Sequence, residues 1–142
     1  MRARMPLTVV VCLSVVALQG CGGGVKYAAV SGKVTLDGKP LAKALVTFNP
    51  VPKPGSDLAG NSASGTTDEN GQYNLRTYDN GGWKDGAQLG KHKVTISVQQ
   101  SRGEGDRAII RETIPKKYNL ETTLTADVTG DGKPIDFPLT SR

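Results

Sequence analysis

Cysteine is scarce in this 142-residue chain, which carries two, Cys12 and Cys21. That excludes a disulfide-stapled scaffold. There is one histidine, His92, so no multi-histidine zinc site can be assembled. Aromatic residues make up only 5% of the chain and include a single tryptophan. The Lys and Arg residues are scattered rather than striped between aromatics, which argues against nucleic-acid binding. The longest uncharged apolar run, residues 5–18, is about 14 residues, short of the roughly 20 that span a bilayer as a helix. The length itself excludes a large multidomain enzyme.

What is present begins with Arg2 and Arg4 ahead of that apolar run, the layout of an export signal. Leu18-Gln19-Gly20-Cys21 follows and resembles the bacterial lipobox. The resemblance implies cleavage before Cys21 and lipidation of its thiol and new amine. An ordinary secretory signal cleaved elsewhere, or a buried strand ending in cysteine, are the competing readings. Gly22-Gly23-Gly24 reads as a flexible tether, and multiple acyl chains give the firm anchoring that one cannot. The expected organisation is a signal peptide over 1–20, a lipidated cysteine and tether over 21–27, and one domain over 28–142. Loss of Arg2 and Arg4 leaves 16 basic against 13 acidic side chains, about +3. Glycine after the cysteine resembles the outer-membrane sorting state, so the expected location is the cell envelope at the outer membrane. With Cys21 lipidated, no free thiol remains for redox or metal chemistry.

Beyond the tether the chain alternates with period two, as strands covering a core do. Val30, Gly32, Val34 and Leu36 share one face, and Asp37-Gly38 makes a turn. Ala44, Val46 and Phe48 form the inner side of the next strand. Residues 50–62 read as a proline-rich loop, and a weak strand is expected near 63–67. Asp68-Glu69-Asn70-Gly71 reads as a tight reversal before Tyr73, Leu75 and Thr77. Residues 79–90, with four glycines, read as a second long loop. His92, Val94, Ile96 and Val98 line the clearest strand. Residues 100–118 stay open between helix, edge strand and loop. Leu124, Ala126 and Val128 are expected to face Ile135, Phe137 and Leu139 in a final hairpin closed by 129–132. The count is about seven strands and no long helix, which predicts an all-β sandwich of two sheets.

Val30-Ser-Gly-Lys-Val-Thr-Leu-Asp-Gly-Lys-Pro-Leu41 with Ala44-Leu-Val-Thr-Phe48 resembles the opening hairpin of carboxypeptidase regulatory-like domains. Gly65-Thr-Thr-Asp-Glu-Asn-Gly-Gln-Tyr-Asn-Leu75 resembles their second signature, and Gly90-Lys-His-Lys-Val-Thr-Ile96 the strand after it. The resemblance implies a seven-stranded Greek-key sandwich, transthyretin-like or prealbumin-like. It also implies a structural, binding or spacer role far more often than catalysis. Small lipoproteins of this make-up look like those of planctomycete-type bacteria. Two enzyme classes on related folds do not fit. Hydroxyisourate hydrolases use several His and Arg and end in Tyr-Arg-Gly-Ser, whereas this chain ends in Phe137-Pro-Leu-Thr-Ser-Arg142. Intradiol dioxygenases need two histidines for iron, and this chain has one.

No catalytic residue is selected by spacing, and no cofactor or metal is expected. His92 has inward parity and reads as a structural histidine at a sheet end. Asp68-Glu69-Asn70-Gly71 and Asp127 to Gly132 are the acid clusters nearest to a calcium pattern, but lack its interval and read first as turn chemistry. Trp83, with Tyr78 and Lys84 beside it, is the binding candidate, since loop aromatics often anchor contacts. The competing reading folds Trp83 back to cover the open end of the sandwich. Three functions are therefore weighed. The first is a noncatalytic, lipid-anchored envelope module with a structural or protein-binding role. The second is a carbohydrate-binding module using Trp83 and Tyr78. The third is a small periplasmic enzyme. The expected partners are the membrane, through Cys21, and an envelope protein or polysaccharide.

Overall fold

A computed structural model describes residues 24–56, 59–102 and 109–142. The expected signal peptide and Cys21 lie outside the described residues, as do residues 103–108 within the segment 100–118. Within them the chain is all-β, with one short 3-10 turn at Lys116–Tyr118.

The larger of the two main sheets has six strands. β4 (Leu45–Pro50) and β10 (Gly90–Ser97) form its centre, pairing antiparallel over six residues from His92↔Pro50 to Ser97↔Leu45. β13 (Thr125–Val128) lies outside β10. On the other side of β4 come β5 (Ala63–Thr66), β7 (Arg76–Asp79) and β8 (Gly82–Asp85), which ends the sheet. The smaller sheet is built around β2 (Ser31–Leu36). It pairs antiparallel with β6 (Gln72–Asn74) and β3 (Lys39–Pro40), and parallel with β14 (Phe137–Leu139). Two short ribbons account for the remaining strands of the described residues: β1 (Tyr27–Ala28) with β9 (Ala87–Gln88), and β11 (Gln99–Arg102) with β12 (Ile109–Glu112). Tyr27, assigned by sequence to the tether, is already paired with Gln88.

The period-two patterns point where their alternation says. Of the fifteen large apolar side chains read as inward, twelve are buried, and Leu36, Leu124 and Ile135 are packed against the core from its rim. Phe48 from the large sheet meets Phe137 from the small one edge to face, with ring centroids 6.0 Å apart. Tyr73 stacks on Phe137 at 6.4 Å and donates its hydroxyl to the Ile135 carbonyl at 2.6 Å. This aromatic contact joins the sheets through large apolar surfaces in favourable ring geometry. Gly32 is buried where a Cβ would collide with the Ile135 carbonyl and crowd Tyr73, so the missing side chain is what lets the 134–136 segment cross β2.

Three expectations are corrected. The opening hairpin lasts only two residue pairs, because Asp37 and Gly38 (φ 50° and 79°) turn the chain back for β3 alone. The chain then crosses to the other sheet at Leu41–Ala44. Buried Thr67 pins that corner: its hydroxyl donates to the Leu41 carbonyl at 2.6 Å and accepts the Ala44 amide at 2.8 Å. The expected final hairpin does not form, since β13 joins β10 while β14 crosses to pair in parallel with β2. Alternation reports which face is inward but not which neighbour is chosen. Finally, residues 79–90 are not a loop, and contain β8 and β9.

Residues 100–118, left open by sequence, contain parts of the β11–β12 ribbon and the 3-10 turn. The ribbon is fastened to the large sheet by Glu112. Its carboxylate accepts from the Ser97 hydroxyl and from the amides of Val98 (2.8 Å), Thr113 (3.0 Å) and Ile114 (3.3 Å). Burial pushes this acid up, but the Ser97 hydroxyl and the three amides outweigh it and hold the carboxyl below its usual range.

Candidate functional site

The β7–β8 hairpin closes through Asn80 and Gly81, with φ of 48° and 79°. Two successive positive φ values are what a two-residue hairpin turn needs, and asparagine followed by glycine adopts them at least cost. Asp79 steadies the turn by accepting from Asn61 Nδ2 at 2.8 Å and Asn80 Nδ2 at 3.3 Å. The register then sets Tyr78 directly opposite Trp83. On the strand before the turn, Thr77 faces inward, fully buried, and donates to the Gly86 carbonyl at 2.7 Å. Arg76 and Tyr78 therefore face out.

Tyr78 and Trp83 are 54% and 59% exposed, with ring centroids 5.4 Å apart at 70°. The Arg76 guanidinium lies 5.3 Å from the Trp83 ring centre and bonds Asp85 at 3.2 Å. Trp83 is thus held in a defined orientation by Arg76 and Tyr78 while presenting its surface to water. The reading in which it folds back as core cover is overturned: Thr77, not Trp83, points inward here, and Trp83 is 59% exposed. Lys84 stands apart from the pair. It shares the face of Thr77, and its ammonium lies 5.4 Å from the ring centre of Tyr27. Arg76 was missed by sequence reading. The signal that would have found it was Asn80-Gly81, which places residues 76–85 in a hairpin and makes their alternation readable.

His92 is fully buried, tilted against Phe48 at 5.6 Å, and its Nδ1 lies 2.9 Å from the Gly90 carbonyl. Its Nε2 is buried without a hydrogen-bond partner. Burial lowers its pKa below the ordinary 6.5, and the Gly90 carbonyl and Asp127 pull the other way without cancelling that. The acidic clusters serve their own turns. Asp68 Oδ1 accepts the amides of Asn70 (2.8 Å) and Gln72 (2.9 Å), and Asp131 accepts the Lys133 amide at 3.1 Å and pairs with its ammonium. Among the described residues no three His, Cys, Asp or Glu side chains gather as metal ligands do.

No family model matches the chain, and comparisons with curated proteins and with solved structures find no significant match.

Proposed function

We propose that this chain is a noncatalytic module of the cell envelope, anchored by lipid on Cys21, that works by contact through the β7–β8 hairpin. The observation that carries the reading is the exposed, pre-oriented Tyr78–Trp83 pair across the last two strands of the large sheet, with Trp83 on its edge strand. Rigid aromatics give large contact area at low entropic cost, and an edge strand offers backbone groups for a partner strand. The noncatalytic reading is supported by the burial of His92, which removes the single imidazole from any substrate. The finer fold reading is a seven-stranded Greek-key, transthyretin-like domain of the carboxypeptidase regulatory-like kind. It draws support from the way β2, β4, β5, the β6–β7 path, β10, β13 and β14 carry the shared core. On this reading an envelope protein is the first partner. A second reading, a polysaccharide, is favoured by the polar side chains that flank the exposed rings.

A photoreactive residue in place of Trp83, activated in intact cells, tests the contact. A recurrent protein adduct from the membrane fraction supports the first reading and a glycan adduct the second. The absence of any intermolecular product overturns both. Cys21→Ser tests the anchor separately: the protein is expected to leave the membrane fraction, and retention there overturns lipidation.

A further inference from the structure

The strand path 72–79 changes sheets without breaking. β6 pairs with β2, the chain passes Leu75, and β7 continues between β5 and β8. Its side chains keep alternating across the switch, so Tyr73, Leu75 and Thr77 are buried while Gln72, Asn74, Arg76 and Tyr78 all face out. Opposite them on the flanking strands stand Lys33, Ser31, Asp85 and Trp83. The outcome is a single lane of outward side chains about 20 Å long at the usual strand rise.

Two hollows open along this lane. One of about 460 Å³ lies over β2 and β6 against Pro134 and Asp136. The other, of about 390 Å³, lies over Leu75 and Gly86 and reaches Arg76 and Asp85. They adjoin at Ser31 and Asn74, and the second reaches Arg76, whose guanidinium lies 5.3 Å from the ring centre of Trp83 just beyond it.

The chemistry of the lane restricts its occupant. Its cations, Lys33 and Arg76, are matched by Asp136 and Asp85, so it does not select a charged polymer. Its backbone is already used: β6 and β7 are paired, the Leu75 amide donates to Val30, and the Leu75 carbonyl accepts from Gly86. A peptide adding as a strand would therefore sit along the outer edge of β8, beyond the two hollows. Recognition falls to side-chain amides and a hydroxyl, which both donate and accept, and to two ring faces at one end. Alternating donors and acceptors with an aromatic platform suit a chain of hydroxyls and C–H faces.

We propose that this lane binds a neutral oligosaccharide of about four units, running from Gln72 to the Tyr78–Trp83 pair. The proposal rests on the second functional reading above and extends it from two rings to a whole site. Trp83 is the one tryptophan of the chain, so its emission reports the site directly. Full-length protein in detergent is titrated with cellotetraose, mannotetraose and chitotetraose, and with the matching disaccharides. The expected result is a saturable change in emission with at least one tetrasaccharide, binding about tenfold tighter than its disaccharide. Asn74→Ala and Gln72→Ala are each expected to weaken it by about tenfold, the equivalent of one lost hydrogen bond. Both side chains are exposed, and an unchanged thermal melt verifies folding. Equal binding of di- and tetrasaccharide, untouched by these variants, overturns the lane but leaves sugar contact at the aromatic pair. No emission change with any sugar at about 10 mM overturns both. Variant-sensitive binding of a neutral extended peptide in place of sugar overturns the proposal as well.

Discussion

His92 and Gly32 make the sharpest residue-scale predictions because each is defined by what it lacks. The Nε2 atom of His92 has no partner, so the ring is kept neutral inside the core. An unfolded chain takes up this proton near pH 6.5, whereas the folded protein does so only at lower pH. Below about 6.5 the unfolded state therefore binds more protons, and stability falls as pH falls; above it the contribution is complete. Urea unfolding between pH 5.5 and 7.5 is expected to show this slope, and His92→Leu to flatten it. At pH 7.5 that variant should remain within about 1 kcal/mol of the parent, since a poorly satisfied polar group is lost along with one bond to Gly90. Gly32→Ala should behave differently. Its new methyl meets backbone rather than a movable side chain, so a loss of about 3 kcal/mol or more is expected at every pH by the same measurement.

At the scale of elements, the β11–β12 ribbon depends on one carboxylate. Glu112→Gln leaves the side chain in place but removes the charge that Ser97 and three amides surround. The expected cost is about 1 kcal/mol, modest because water reaches this half-buried group. Faster amide exchange at Val98 and Thr113 should accompany it, while the β4–β10 centre stays protected. Because the folded pKa of Glu112 lies below 4.5, its contribution is present above that pH and fades as the pH falls further. Elements also mark where sequence was legible. Inward faces were readable wherever alternation ran five residues or more, as in β2, β4 and β10. Pairing was not: nothing in Phe137-Pro138-Leu139 names β2 rather than β13 as its neighbour, because that choice is made by the Phe48–Phe137–Tyr73 contact across the core. The hairpin at the candidate site was hidden by its glycines. These read as loop composition, although Asn80-Gly81 carried the turn, and with the turn misread, Arg76 could not be set beside Trp83.

For the whole molecule, Phe137 is the ring of the small sheet that meets Phe48 of the large one, within a core to which both sheets contribute. Phe137→Ala removes contacts to both Phe48 and Tyr73, and its expected cost is about 4 kcal/mol in a cooperative unfolding transition. A loss below about 1 kcal/mol would mean that the sheets are held together elsewhere. The same strand has a consequence for timing. β14 reaches back to pair with β2, and the Lys33 amide is held by Asp136 across 103 positions of sequence. Closing so large a loop comes late, after the local hairpins have formed. Until residues 137–139 emerge from the ribosome, β2 has an empty side and the aromatic contact between the sheets has no middle ring. A chain that lacks these residues can therefore form its local hairpins but not the aromatic contact that joins its sheets.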